Sequence, residues 1–353
     1  RRDGVKVGID QTLQVDLGMM SAEGEVGQGG TMVITGESPV INQGSTAVDF
    51  NFTREFTGQV AAPRTTTELL ALSPGASADA AGTGFRGATS AENNFIIDGI
   101  NTTNVRNGLP STALPMEFIE EMQIKTGGYE AEFGKATGAV VNVRTRTGGN
   151  EFHGDVWSFL IPYETTRPEL TYGDDPDIPG YDNAVRVQPK LGYDIDFGAD
   201  LGGPIVKDKL WFWVGAQPTF KSFNYTRTIG NETRVYESQT KVAHFASKLS
   251  FKPSEYHDIS LSFYGNPQAR TGAQFTSAAG YARDDDAIYG VIESGAMDGA
   301  LRYNGRFAND TTNVEVSVGY HRESNRSGPE EGNTSQAIIH NYPYTPTGAS
   351  GAP

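Results

Sequence analysis

The chain has 353 residues, a net charge of −15 and no cysteine. The length allows roughly two domains, and the missing cysteines exclude a disulfide framework, a thiolate metal site and a cysteine nucleophile. The acidic balance argues against a nucleic-acid partner, which would need basic patches to displace counterions. There is no apolar run of about 18 residues to form a transmembrane helix.

Gly4 to Leu17 alternates as a strand does, with Val5, Val7 and Ile9, then Leu13, Val15 and Leu17. A strand pattern from residue five, with no leading Met and no signal peptide, implies that the sequence begins inside a larger protein. Ser21 to Ser45 is rich in Gly and Ser and reads as a flexible linker. One short apolar patch interrupts it, Thr31-Met32-Val33-Ile34-Thr35-Gly36.

Residues 61–150 predict a small α/β domain. Thr65 and Glu68 carry the spacing of a capping box, and Pro74-Gly75 stops the helix that follows. Asn94 to Ile97 reads as a strand ending in an Asp98-Gly99 turn. Pro115 suits a helix start. Glu121 to Thr126 and Ala139 to Thr147 read as further strands.

From Gly154 to Tyr320 the signal becomes period two. Tyr193, Ile195, Phe197, Ala199 and Leu201 alternate with Asp194, Asp196, Gly198, Asp200 and Gly202. The same pattern recurs in Lys241–Phe251, Asp258–Tyr264, Leu301–Phe307 and Asn313–His321, and more loosely in Gly154–Tyr163 and Leu210–Phe220. That predicts seven strands with one apolar and one polar face. The connections alternate between short turns (Gly202–Lys209, Lys252–Tyr256, Asn309–Thr311) and long loops (Glu164–Lys190, Asn224–Ser238, Asn266–Ala300). Short turns at one end and long loops at the other is the arrangement of an outer-membrane barrel. A soluble sandwich also alternates, but its connections need no such pattern. Seven strands cannot close a bacterial barrel. The expected fold is therefore mainly β, an incomplete transmembrane antiparallel barrel preceded by a small α/β domain.

Enzymatic chemistry finds little support. Gly82-Thr-Gly-Phe-Arg-Gly87 matches G-x-G-x-x-G but is followed by a strand, where dinucleotide binding needs a helix. The five histidines lack metal-ligand spacing, and neither a nucleophile elbow nor a paired catalytic set occurs. The acidic loop clusters Asp174-Asp175 and Asp284–Asp286 read as solvated. The chain is expected to be no enzyme, with no catalytic residue, cofactor or metal. Arg144 and Arg146 share one face of a strand by period two. We expect them to meet the polar-face carboxylates of Asp194, Asp196 and Asp200 as a contact between the small domain and the barrel.

Four motifs together carry a resemblance. Phe85-Arg86-Gly87 followed by Asn94-Phe-Ile-Ile97-Asp98-Gly99-Ile100 resembles the plug signature of TonB-dependent outer-membrane receptors. Phe118–Tyr129 with Glu132–Val143, the junction Thr145–Gly154, and the turn Leu201–Phe212 are similar to the same family in its Oar-like branch. The plug motif residues are then Arg86, Gly87, Ile97, Asp98 and Gly99. The resemblance implies four regions: the end of a carboxypeptidase-regulatory-like β domain (1–20), a linker (21–60), the plug (61–150) and the first barrel strands (151–353). It implies a TonB box at Thr31, Met32, Val33, Ile34, Thr35 and Gly36. Ligand-facing residues would be Asn101, Asn104, Arg106 and Asn107. Partners would be TonB with its inner-membrane energising complex, outer-membrane lipid, an external ligand of small or polypeptide size, and in some members a surface lipoprotein. The implied function is import through a plugged barrel in the bacterial outer membrane. A non-transporting adhesin or scaffold is the alternative.

Overall fold

The computed structural model describes residues 48–59, 64–129, 134, 136–162, 186–229, 232–274, 289–307 and 311–329. The terminal strand pattern, the linker with Thr31–Gly36 and both acidic clusters lie outside the described residues. The chain divides into two compact units. The first comprises residues 1–110 and 119–145; the second comprises 111–118 and 146–353.

The first unit is built on a five-stranded sheet. Its strands are β1 (Val48–Thr53), β4 (Asn94–Ile97), β5 (Ile100–Asn101), β6 (Ile119–Gly127) and β7 (Val140–Thr145), in the order β1-β6-β7-β4-β5. Only the β4–β7 pair is parallel. Val48–Thr53, placed in the linker by sequence, is the edge strand of this sheet. A small hairpin of β2 (Ala76–Ala78) and β3 (Thr83–Phe85) completes the strands of this unit, with short helices α1 (Arg54–Gln59) and α2 (Thr66–Leu69). Phe52, Leu69, Phe95, Met122, Ile124, Val141 and Val143 are buried, the ordinary apolar interior of a small domain.

Helix α2 begins after Thr65, as the sequence predicts, but the cap differs. Glu68 accepts from the backbone N–H of Arg64 (2.8 Å) rather than of Thr65, whose side chain caps nothing. A reciprocal capping box forms instead at Thr89 and Glu92, opening the single turn Ser90–Glu92. The T-x-x-E spacing was present there too.

The second unit is one antiparallel meander. Its strands are β8 (Val156–Ile161), β9 (Arg186–Val206), β10 (Leu210–Ile229), β11 (Glu232–Ser254), β12 (His257–Gly265), β13 (Gln268–Ala273), β14 (Tyr289–Phe307) and β15 (Thr312–Pro329). β12 and β13 both pair with β11 and with β14, so they are one strand interrupted at Asn266-Pro267. Proline cannot donate to a ladder, which accounts for the break. Seven strand positions therefore run in sequence order. Among the described residues β8 and β15 each pair on one side only, so the sheet is an open, incomplete barrel.

The faces of this sheet are inverted relative to a water-soluble protein. Phe197, Leu201, Val214, Phe220, Leu249, Phe251, Leu261, Phe263, Leu301 and Val318 are exposed. Asp194, Asp196, Asp200, Gln217, Thr219, His244, Lys248, Ser262 and Asp298 are buried. An apolar outer band with a polar inner face is the signature of a strand wall in lipid.

Two expected loops are corrected. Asn224–Ser238 is mostly ladder, with Ile229 opposite Glu232. Asn266–Ala300 contains β13 and the first half of β14, in register with each other. The strands are thus far longer than the alternation indicates. A strand of 20 residues such as β10 is roughly 66 Å long, and a tilt of about 40° leaves roughly 50 Å along the membrane normal, twice the apolar band. Most of the exposed apolar side chains of β9 to β15 lie in the half of the strand next to the short turns, with Val235 of β11 an exception. The other half alternates less cleanly, and its apolar side chains include a small buried cluster of Tyr236 and Ala273 with Tyr225 and Tyr289 packed against it.

Candidate functional site

Two regions carry the candidate residues: a loop of the first unit, and a short segment fastened within the second. The loop follows β5. Asn101 accepts from the N–H of Thr103 (2.9 Å) and donates to Asn94 Oδ1 (2.8 Å). Asn104 Oδ1 accepts from the backbone N–H groups of Arg106 (2.7 Å) and Asn107 (3.1 Å), and Asn107 Oδ1 accepts from Leu109 (3.0 Å). These are Asx turns, in which a side chain replaces a backbone acceptor. Thr103 and Pro110 close the base as a bridge. Gly108 has φ +72, and a Cβ there would stand 2.1 Å from the Ala91 carbonyl oxygen, so only glycine fits. Asn104 and Asn107 thus spend their oxygens on holding the loop. Val105, fully exposed, and Arg106, also exposed, are the side chains it presents. Val105 was missed from sequence, where nothing distinguishes it from any loop valine.

The plug-motif residues build turns. Phe85–Ala88 closes with the Ala88 N–H on the Phe85 carbonyl (2.9 Å), and both central residues have positive φ, Arg86 +52 and Gly87 +85. Ile97 pairs with Ile100 around Asp98 (φ +47) and Gly99 (φ +84). Both are type I′ geometry, which Asp-Gly suits and Arg does not. Asp98 is buried. Its carboxylate accepts from the Thr145 N–H (3.1 Å) and the Thr145 hydroxyl (2.5 Å), tying the β4–β5 turn to the end of β7.

Two acidic side chains brace the neighbouring loops. The Ser90 and Ala81 backbone N–H groups, with the Ser90 hydroxyl, hold the Asp79 carboxyl down from 3.8 to about 2. Glu92 is lowered by the Thr89 N–H, then by the hydroxyls of Thr137 and Thr89.

In the second unit, Ser111–Phe118 crosses the strand wall. The Thr112 hydroxyl donates to Asp298 Oδ2 (2.5 Å), and Asp298 Oδ1 faces His321 Nδ1 (2.5 Å). Ser111 Oγ reaches the other ring nitrogen of His321 (3.4 Å). Asp298 is wholly buried on β14. At the far end, Phe118 lies edge-on to Trp213 (ring centroids 5.6 Å) and to Trp157 (6.2 Å). A Cβ on Gly215 would come within 2.7 Å of the Phe118 ring, so the wall is thinned to a glycine there.

The predicted arginine–aspartate group comes together in part. Arg146 ion-pairs with Asp200, reaches Asp155 (3.4 Å) and lies over the Trp213 ring (5.6 Å to its centroid). Both Arg146 and Asp200 are buried. Asp194 pairs instead with Lys221 (3.1 Å), and Asp196 is buried opposite Thr219 of β10. Arg144 stands exposed on β7 across from Glu121. Among the described residues no group of three or more acidic or histidine side chains converges as a metal site.

A family model described as the TonB-dependent receptor plug domain matches residues 44–141. The TonB-dependent transporter Oar of Myxococcus xanthus is 30% identical over 94% of this chain and 34% of its own length. The chain therefore spans about a third of this curated relative. Among solved structures, the outer membrane transporter YddB of Escherichia coli aligns with a TM-score of 0.56 at 14% identity, over 79% of this chain and 39% of that one. A ferric enterobactin receptor of Pseudomonas aeruginosa aligns at 0.52 and 12%, over 78% and 41%.

Proposed function

We propose, for a chain that belongs to the TonB-dependent outer-membrane receptors in their Oar-like branch, that the whole protein captures an external ligand and imports it through a plugged barrel. The family lives in the bacterial outer membrane, and so does this chain. The observation that carries the reading is the pairing, in one chain, of a plug-domain sheet with a wall whose apolar face is outward.

Within this reading Thr31–Gly36 is the TonB box. It is a short strand-prone segment in a Gly-rich leash ahead of the plug sheet, suited to add to the edge of a partner's sheet. The loop Asn101–Pro110 takes part in ligand contact, with Asn101, Asn104 and Asn107 as its frame and Val105 and Arg106 as its tip. The ligand is of polypeptide size. Strand walls reaching twice the height of the apolar band support a large cargo over a compact chelate.

The test uses the full-length receptor in detergent and the purified periplasmic domain of TonB. Deleting Thr31–Gly36 should abolish binding measured by calorimetry. Undiminished binding rejects the box assignment. A receptor that binds no TonB domain, deletion or not, favours the adhesin or scaffold reading.

A further inference from the structure

Arg270 of β13 is a cation that its surroundings do not neutralise. In the register of the wall, Asp194, Lys221, Thr240 and Arg270 stand side by side on β9, β10, β11 and β13, and residues directly opposite share a face. Lys221 is matched there by Asp194 (3.1 Å). Among the described residues Arg270 has no carboxylate partner. Around it on that face stand Val242, Ser238, Gln268 and Ile292, none of them acidic. Glu237 and Glu293 alternate onto the other face. The guanidinium is half-buried and held in place: Nε donates to the Ser238 hydroxyl (3.0 Å) and Nη2 to the Tyr225 hydroxyl (2.7 Å). Arginine carries five N–H donors, so these two bonds leave its Nη1 donors uncommitted. Tyr225 and Tyr289, both half-buried, pack on the neighbouring Tyr236 and Ala273. The group lies in the half of the wall away from the short turns, the outward end of an outer-membrane barrel. A neutral amide could make both braces; the charge itself serves neither.

We propose that Arg270 is the anchor for a carboxylate on the cargo polypeptide. The remaining donors of the planar guanidinium take the two carboxylate oxygens in parallel, a geometry that an ammonium cannot offer. The rings of Tyr225 and Tyr289 supply apolar surface for the atoms beside that carboxylate. The proposal deepens the polypeptide-cargo reading above and rests on it for the kind of ligand. It does not rest on TonB coupling, and the two can fail separately.

The probe is a library of short random peptides with free C-termini, panned on the full-length receptor in lipid nanodiscs. Enriched peptides are then measured by fluorescence anisotropy. Arg270→Gln should weaken their binding roughly tenfold to a hundredfold, the worth of a charged hydrogen-bonded pair. Arg270→Lys, which keeps the charge and loses the fork, should recover only part of it. Amidating the peptide's carboxylates should weaken binding to the parent and make no difference to Arg270→Gln. Tyr225→Phe removes one brace and keeps the cation, so it should cost less affinity than Arg270→Gln. If it costs as much, Arg270 is a brace only and the proposal falls. It falls also if the library enriches nothing, if the peptides ignore Arg270→Gln, or if inorganic phosphate displaces them at lower concentration than acetate does. A receptor that binds the peptides through Arg270 yet binds no TonB domain keeps this site and rejects import. One that binds the TonB domain while its peptides ignore Arg270 does the reverse.

Discussion

The two sheets of this protein solve opposite solvent problems. In the plug sheet, Met122, Ile124, Val141 and Val143 are buried, as are the polar Glu121, Gln123 and Lys125 of β6, while Glu120 and Arg144 are exposed. In the barrel sheet Leu249, Leu261 and Leu301 point outward while Asp196, Asp200 and Asp298 are covered. Period two marks the barrel strands, whereas β6 of the plug sheet is covered on both faces from Glu121 to Lys125. The difference teaches that alternation alone names a strand but not its surroundings. Which half of the pattern is charged, and how the connections alternate in length, tells lipid from water.

Several measurements would break or sharpen that contrast. The largest effect is expected at the covered polar face. Arg146→Ala leaves Asp200 buried without its cation and should destabilise the receptor by about 3–5 kcal/mol, read by denaturant unfolding in lipid vesicles. The volume-matched pair Arg146→Met with Asp200→Leu should recover most of that loss. Equal loss in both would mean that the charges themselves, and not their matching, are required.

Next comes the outer face. Leu261→Arg should cost about 2–4 kcal/mol in vesicles if the residue meets lipid near the midplane. A cost near zero would mean that this face meets water. In the plug, Asp98→Ala removes both acceptors from Thr145 and should cost about 1–3 kcal/mol, seen as early loss of β4–β7 amide protection.

The smallest effect is electrostatic. The Asp79 carboxyl sits lower in the folded plug than in the unfolded chain, so its contribution is complete above about pH 4 and is lost as pH falls toward 2. Glu92 acts in the same direction. Thermal stability of Asp79→Asn should therefore match the parent at low pH and fall behind it at neutral pH. A parallel offset at every pH would count against these hydrogen bonds.

Much of the fold was legible because burial writes period two into the chain. The β9 aspartates alternate with its outward Phe197 and Leu201, and Asn94–Gly99 carries its own turn signal. What was illegible had lost that cause. Asn224–Ser238 has a broken alternation, with Tyr225, Val235 and Tyr236 scattered among polar residues, so it reads as loop although it is ladder. Thr89–Glu92 and Thr65–Glu68 carry the same spacing, yet only the former closes the reciprocal box, and spacing alone does not separate them. At the candidate site, Arg146 and Asp200 were findable as opposite charges in alternating stretches, although Arg146 lies just past the end of β7 and not on the strand. Thr112 was not. Its role depends on Asp298, 186 residues away, and no local spacing records that.

Trp213 has a use beyond packing. It is fully buried, touched by the Phe118 ring and roofed by the Arg146 guanidinium. With Trp157→Phe, Trp211→Phe and any tryptophan beyond this sequence likewise replaced, this indole would stand alone in the receptor. Its emission would then serve as a built-in optical gauge, shifting red the moment water replaces the phenyl ring beside it.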